Sequence, residues 1–255
     1  MSGKKKLVVV LGSKPGAVIP YGDAIYCANA AIGYYAETVC RFPIVVSVLN
    51  PDVIHPKERK EGASGRDFFT RQFEMIIASK PERVILTRTG SFGLLRDVLA
   101  DAGFNPQLTA ISVEDRRMLV GKLSGCYDPI LTHDFFYLPL AKKFRYAGSL
   151  TSTFLKRLLN KRKDCGSAFR PSTGILALLF AIADYGADAE YVICGIGIRK
   201  RSEYLGANNK HKRDLPQHVF ADSKVLKKLS RRYHLSTTEP EIMHMLPAYQ
   251  TRDDT

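Results

Sequence analysis

Phe169-Arg170-Pro171-Ser172-Thr173-Gly174, the apolar run over residues 175–183, and Tyr191-Val192-Ile193-Cys194-Gly195-Ile196-Gly197 decide the architecture of this 255-residue chain. A polar loop leads into a helix that is apolar all round, and the helix leads into a continuously apolar strand. Elements of that kind are buried on every side, as in a sheet covered by helices. At the start of the helix stand an arginine, two hydroxyls and a glycine, where the first backbone amides lack partners. This is how an α/β protein presents an anionic ligand to a helix N-terminus, and it is also the pattern of a well-capped helix.

Working outward, further short apolar runs predict strands over residues 7–11, 44–49, 83–87 and 108–113, with a fifth over 191–194. Helical patterns fall at 65–78, 90–100 and 174–183. Their alternation predicts an α/β, Rossmann-like fold, a mostly parallel sheet with helices on both faces. Ligands in such sheets bind beyond the carboxyl ends of the strands, so the turns at 12–16, at Asn50-Pro51 and from Gly195 onward are candidate sites. Residues 199–213 are polar, basic and without apolar period, and we read a lid segment at approximately 197–217. A helix resumes over 221–233, with Asp222 as its cap and Val225, Leu226 and Leu229 as its buried stripe; His234 ends it. The tail beyond Glu239 is expected to fray. The whole of 1–255 reads as a single domain with this lid.

The formal net charge of +13 calls for an anionic partner. Residues 142–163 carry eight basic side chains and no acidic one. Nucleic acid, an anionic membrane surface or a phosphorylated substrate would each satisfy that charge. Nucleic acid is disfavoured, because no helix-turn-helix, zinc-finger or ribonucleoprotein-motif spacing appears. Residues 154–163 mix leucines with cations as an interfacial helix does, although a solvated basic helix has the same composition. No run is long enough to span a bilayer, so the expected location is cytoplasmic, peripheral on the inner face of the membrane. Five scattered cysteines without a Cys-x-x-Cys pair predict reduced thiols and no structural zinc.

The first turn, Gly12-x-x-x-Gly16, matches neither the dinucleotide nor the P-loop fingerprint, but glycine there still lets backbone approach a ligand closely. His218 precedes a helix and follows the lid, a position that suits a general base near neutral pH. His133 is a minor candidate. No carboxylate dyad and no Asp-x-Asp appear, so a divalent metal is not indicated, and a phosphate leaving group would need protein cations and hydroxyls instead.

In order along the chain, Gly12 to Pro15, Cys27-Ala28-Asn29, Asn50-Pro51, Arg170 to Gly174, Gly195-Ile196 and His218 resemble the motifs of the bacterial sialyltransferases of glycosyltransferase family 42. The resemblance extends over nearly the whole chain. It implies inverting, metal-independent transfer of sialic acid or a related nonulosonic acid from its CMP derivative to a hydroxyl of a glycan or glycolipid. Such acceptors occur in lipooligosaccharide and capsule biosynthesis. It implies no cofactor beyond the CMP-sugar donor substrate. By the same resemblance His218 matches the general base, and Tyr204 a lid tyrosine that donates to the departing phosphate. Arg170 matches an arginine bearing on phosphate or acceptor. Gly12, Ser13, Asn29, Asn50, Ser172, Thr173, Gly174 and Gly195 match the segments that hold nucleotide and donor sugar. The chain departs from the family at Ser13, where the family has asparagine, at Gly197, where it has aspartate, and near Leu215, where a tyrosine is missing. These departures leave the donor sugar open. A CMP-Kdo transferase of the same class and a non-catalytic basic module binding RNA or acidic polysaccharide are the alternatives; homo-oligomerisation is also left open.

Overall fold

A computed structural model describes residues 5–50, 74–89, 92–126, 128, 170–198 and 218–251, with isolated positions between 140 and 151. Five strands follow in order from the N-terminus: β1 (Leu7–Leu11), β2 (Ala24–Ala28), β3 (Val45–Leu49), β4 (Arg83–Leu86) and β5 (Gln107–Ala110). Then come β6 (Glu190–Cys194) and β7 (His234–Thr237). All pair in parallel in one sheet of order β5-β4-β3-β2-β1-β6-β7. The chain winds outward from β1 to β5, then returns to the other side of β1 for β6 and β7. The order therefore reverses between β1 and β6.

Alternation along each strand feeds two cores. Leu7, Val9 and Leu11 point to one face, where α1 (Ala31–Tyr34), α2 (Ala36–Val39), the helical turn at 74–78 and α3 (Phe92–Asp101) supply Ile32, Val39, Ile76 and Leu95. Val8 and Val10 point to the other, covered by α4 (Val113–Ser124), α5 (Thr173–Tyr185) and α6 (Val219–Leu229). Every residue of α5 from Gly174 to Ile182 is buried. At about 1.5–3 kcal/mol for each large apolar side chain removed from water, this helix is a principal source of stability. The apolar all-round pattern of residues 175–183 thus has its cause in a helix laid across β1, β2 and β3.

The structure corrects the sequence reading in several places. β2 and β7 were not expected: Ala24–Ala28 is short with small residues at both ends, and His234–Thr237 is a polar-alternating edge strand. His234 opens β7 and does not end a helix, because α6 stops at Leu229. The fourth expected strand ends at Ala110, and Val113 begins α4, whose nearly all-round polarity hides it from periodicity. Its ends carry the local signals: the Ser112 side chain accepts from Asp115 N–H, and Gly125 closes it at φ +64°. Within the tail Ile242 and Leu246 are buried and Ala248 is bridged to Thr237, because its apolar residues complete the core beside β7; residues 252–255 lie outside the described residues.

Candidate functional site

At the reversal point, the ends of β1 and β6 approach so closely that only glycine fits. A Cβ on Gly12 would lie 2.2 Å from the Gly195 carbonyl oxygen, and one on Gly195 2.6 Å from that of Gly12. Gly195 also has φ +65°, a conformation that favours glycine. Gly12 N–H donates to Cys194 O at 2.8 Å, and Lys14 N–H to Gly195 O at 3.0 Å. The turn after β1 is then tied down by side chains that the sequence reading did not single out. Lys14 Nζ contacts Glu239 Oε2 at 2.8 Å and Glu241 Oε1 at 3.1 Å, while Glu239 Oε1 accepts Gly195 N–H at 2.7 Å. Burial alone would lower the Lys14 ammonium, but the bonds to the two glutamates outweigh it and raise its pKa. From the opposite side the Tyr35 hydroxyl donates to Lys14 O and accepts Ala17 N–H. No spacing in the sequence links Lys14 to residues more than two hundred positions away.

The N-terminus of α5 reaches the same edge. Gly174 packs against the Ile196 side chain, just beyond β6: a Cβ would lie 2.9 Å from Ile196 Cδ1. The Ser172 side chain accepts Ile175 N–H at 3.3 Å, so the expected capping is present. Thr173 and Gly174 occupy the first helical positions, whose amides have no intrahelical acceptor. Arg170 is buried ahead of them. His218, half-buried, is the N-cap residue of α6, and its Nδ1 lies 2.7 Å from Arg170 O. A carbonyl can only accept, so Nδ1 carries a proton, and whenever the ring is neutral its lone pair is on Nε2.

Asp222 does not cap its own helix as the sequence reading had it. Its Oδ1 reaches across to accept Ser172 N–H at 2.8 Å, because one turn into α6 its side chain faces the 170–172 loop. Burial pushes its pKa up to about 7, against the opposing pull of the backbone and hydroxyl hydrogen bonds from Ser172. A carboxyl whose folded pKa is raised favours the native state fully below its unfolded value near 3.8, and that contribution is lost as pH rises through about 7. Asp222→Asn therefore gains stability relative to wild type as pH rises from about 4 to about 7. Urea unfolding of both proteins at several pH values checks this; a pH-independent difference would contradict it.

Asn29 and Asn50 stand at the carboxyl ends of β2 and β3. Asn29 adopts φ +51°, which asparagine tolerates, and its Oδ1 accepts Asn50 N–H at 2.9 Å. Asn29→Ala loses that acceptor and keeps the strained backbone, at a cost of about 2 kcal/mol, readable in thermal unfolding.

Of the residues singled out from sequence, Gly12, Ser13, Asn29, Asn50, Arg170, Ser172, Thr173, Gly174, Gly195 and His218 all lie along the carboxyl edge of the sheet. Direct contacts join Gly12 to Gly195 and His218 to Arg170, and Gly174 packs on Ile196. The asparagine pair stands on the β2 and β3 side of Gly12, while Gly174 packs against Ile196 just beyond β6. Tyr204, His133 and the lid segment beyond residue 198 lie outside the described residues, as does most of the basic run 142–163. Among the described residues no group of three or more His, Cys, Asp or Glu side chains could hold a metal ion. None of their helices is long and apolar enough to cross a membrane.

The N-terminus of α5, which carries partial positive charge and is linked to that of α6 through Arg170 and His218, thus lies with the close approach of Gly12 and Gly195 at the reversal point of a parallel sheet. The chain is a Rossmann-like α/β protein. No protein-family model, curated protein or solved structure matches it.

Proposed function

We propose that the protein is an inverting glycosyltransferase that moves sialic acid, or a related nonulosonic acid such as Kdo, from its CMP derivative to a hydroxyl of a glycan or glycolipid. The observation that carries this reading is the His218 Nδ1 to Arg170 O bond, which puts a basic Nε2 next to the N-terminus of α5. The acceptor hydroxyl gives its proton to Nε2 as its oxygen bonds to the anomeric carbon, and the bond from that carbon to the phosphate oxygen breaks. CMP leaves with the electron pair. Charge builds on the phosphate in the transition state, where the amides of Thr173 and Gly174 and the α5 dipole stabilise it. The resemblance assigns Tyr204 and Arg170 as further donors to the same oxygens. Asn29 and Asn50 hold the nucleotide end, while the backbone at Gly12 and Gly195 makes room for close approach.

The basic run of residues 142–163 docks the enzyme on the anionic inner face of a membrane, where a glycolipid acceptor sits. Binding is tested by thermal unfolding with CMP, CTP and CMP-sugars beside uridine and adenosine nucleotides. At a concentration 100 times Kd, a cytidine ligand adds about 2.7 kcal/mol, a rise in Tm of roughly 5–10 °C for a chain of this size. No shift with any cytidine nucleotide would count against the proposal.

A further inference from the structure

We infer that Asp222 is the positioning residue for the imidazole of His218, an assignment that rests on the glycosyltransferase reading only for its catalytic consequence. The loop at 170–172 and the first turn of α6 are cross-linked twice. His218 Nδ1 donates to Arg170 O at 2.7 Å, and two residues later Ser172 N–H donates to Asp222 Oδ1 at 2.8 Å. On the helix side the ring closes through Asp222 N–H to His218 O at 2.9 Å. The result is a closed circuit: imidazole, Arg170 carbonyl, Pro171, Ser172 amide, Asp222 carboxyl, and one helical turn back to the imidazole.

Each cross-link fixes the other. Pro171 between them has its φ restrained by its ring, so the Arg170 carbonyl cannot turn away while Ser172 N–H is held. Asp222 is buried at 3 % exposure, and its carboxylate meets the loop through Ser172 and leaves the ring nitrogen to the carbonyl. Asp222 touches neither end of the proposed reaction. It acts by keeping the carbonyl where it selects the tautomer with the lone pair on Nε2. Loss of that restraint lets the ring turn and populate the opposite tautomer, and a base misplaced by about 1 Å loses on the order of 10²-fold in rate.

The test uses the full chain with ¹⁵N-labelled histidine, the His218 ring signals assigned by comparison with His218→Ala. Wild type is expected to show a protonated Nδ1 and an unprotonated Nε2 at a pH where the ring is neutral. Asp222→Ala should shift His218 toward a mixture of tautomers and lower kcat about 10- to 100-fold with the donor KM changed less than threefold. Asp222→Asn keeps an oxygen that accepts Ser172 N–H, and should preserve both the ring signals and kcat within about threefold. Unchanged ring signals in Asp222→Ala would overturn the inference. So would an Asp222→Asn protein as impaired as the alanine variant, since charge and not placement would then be at work. Should Asp222→Ala fail to fold, the asparagine variant decides alone. A wild type that shows the expected tautomer but turns over no CMP-sugar leaves the positioning role standing and removes the glycosyltransferase reading.

Discussion

Gly12→Ala does not reach a stable native sheet. The added methyl would stand 2.2 Å from Gly195 O, 2.8 Å from Gly195 C and 2.8 Å from Ile196 Cγ1. Two of these three atoms are backbone, and both belong to Gly195, the residue after β6, which pairs with β1 from Leu7 to Leu11. No side-chain rotation relieves the contact; β1 and β6 must part, or the Gly195 carbonyl must turn and give up the bond it accepts from Lys14 N–H. Overpacking of a well-packed core costs about 1–3 kcal/mol, and a clash against fixed backbone lies above that range. Set against a total stability of about 5–15 kcal/mol, the variant is expected to express poorly or to melt more than 10 °C below wild type. Gly174→Ala, which meets only the movable end of Ile196, should lose much less. Thermal unfolding of the two variants side by side measures the contrast, and equal losses would show that the approach of Gly12 to Gly195 is not tight.

His218→Ala lowers the rate of transfer from a CMP-sugar by about 10² to 10⁴ while leaving the fold intact, the range over which a positioned general base contributes. The ring is half-buried, and its loss removes one hydrogen bond, to Arg170 O, worth about 1 kcal/mol. Stability and activity therefore separate. Cytidine nucleotide binding should persist, because the glycines of the crossing and the N-terminus of α5 are untouched. Steady-state kinetics beside thermal unfolding reads both, and equal turnover by the two proteins would remove His218 from the mechanism.

The layout was legible in the sequence wherever burial is two-sided. Residues 7–11 and 191–194 are apolar without interruption because both faces of the sheet are covered, and the helix over 174–183 is apolar all round because it lies between the sheet and α4. Where an element is small or polar, local pattern does not announce it. Ala24–Ala28 becomes a strand because β1 and β3 pair on either side of it, and α4 because Ser112 and Gly125 fix its ends. The candidate site shows the same division. Ser172 was readable as a cap from its place before an apolar run. The contacts of Asp222 with Ser172 and of Glu239 with Lys14 and Gly195 were not, because separations of 50, 225 and 44 residues are closed only by the sheet order. Asp222 looked like a helix cap because its residue type and its place near a helix start are what a cap requires.

Amide hydrogen exchange with and without CMP tests most directly whether a cytidine nucleotide seats at the carboxyl edge between β1 and β6. Slower exchange is expected in the turn after Gly12, at Thr173 and Gly174, and around Ile196, with the opposite edge at Asp23 and Ala189 unchanged. Protection confined to that opposite edge, or none at saturating CMP, would contradict the account.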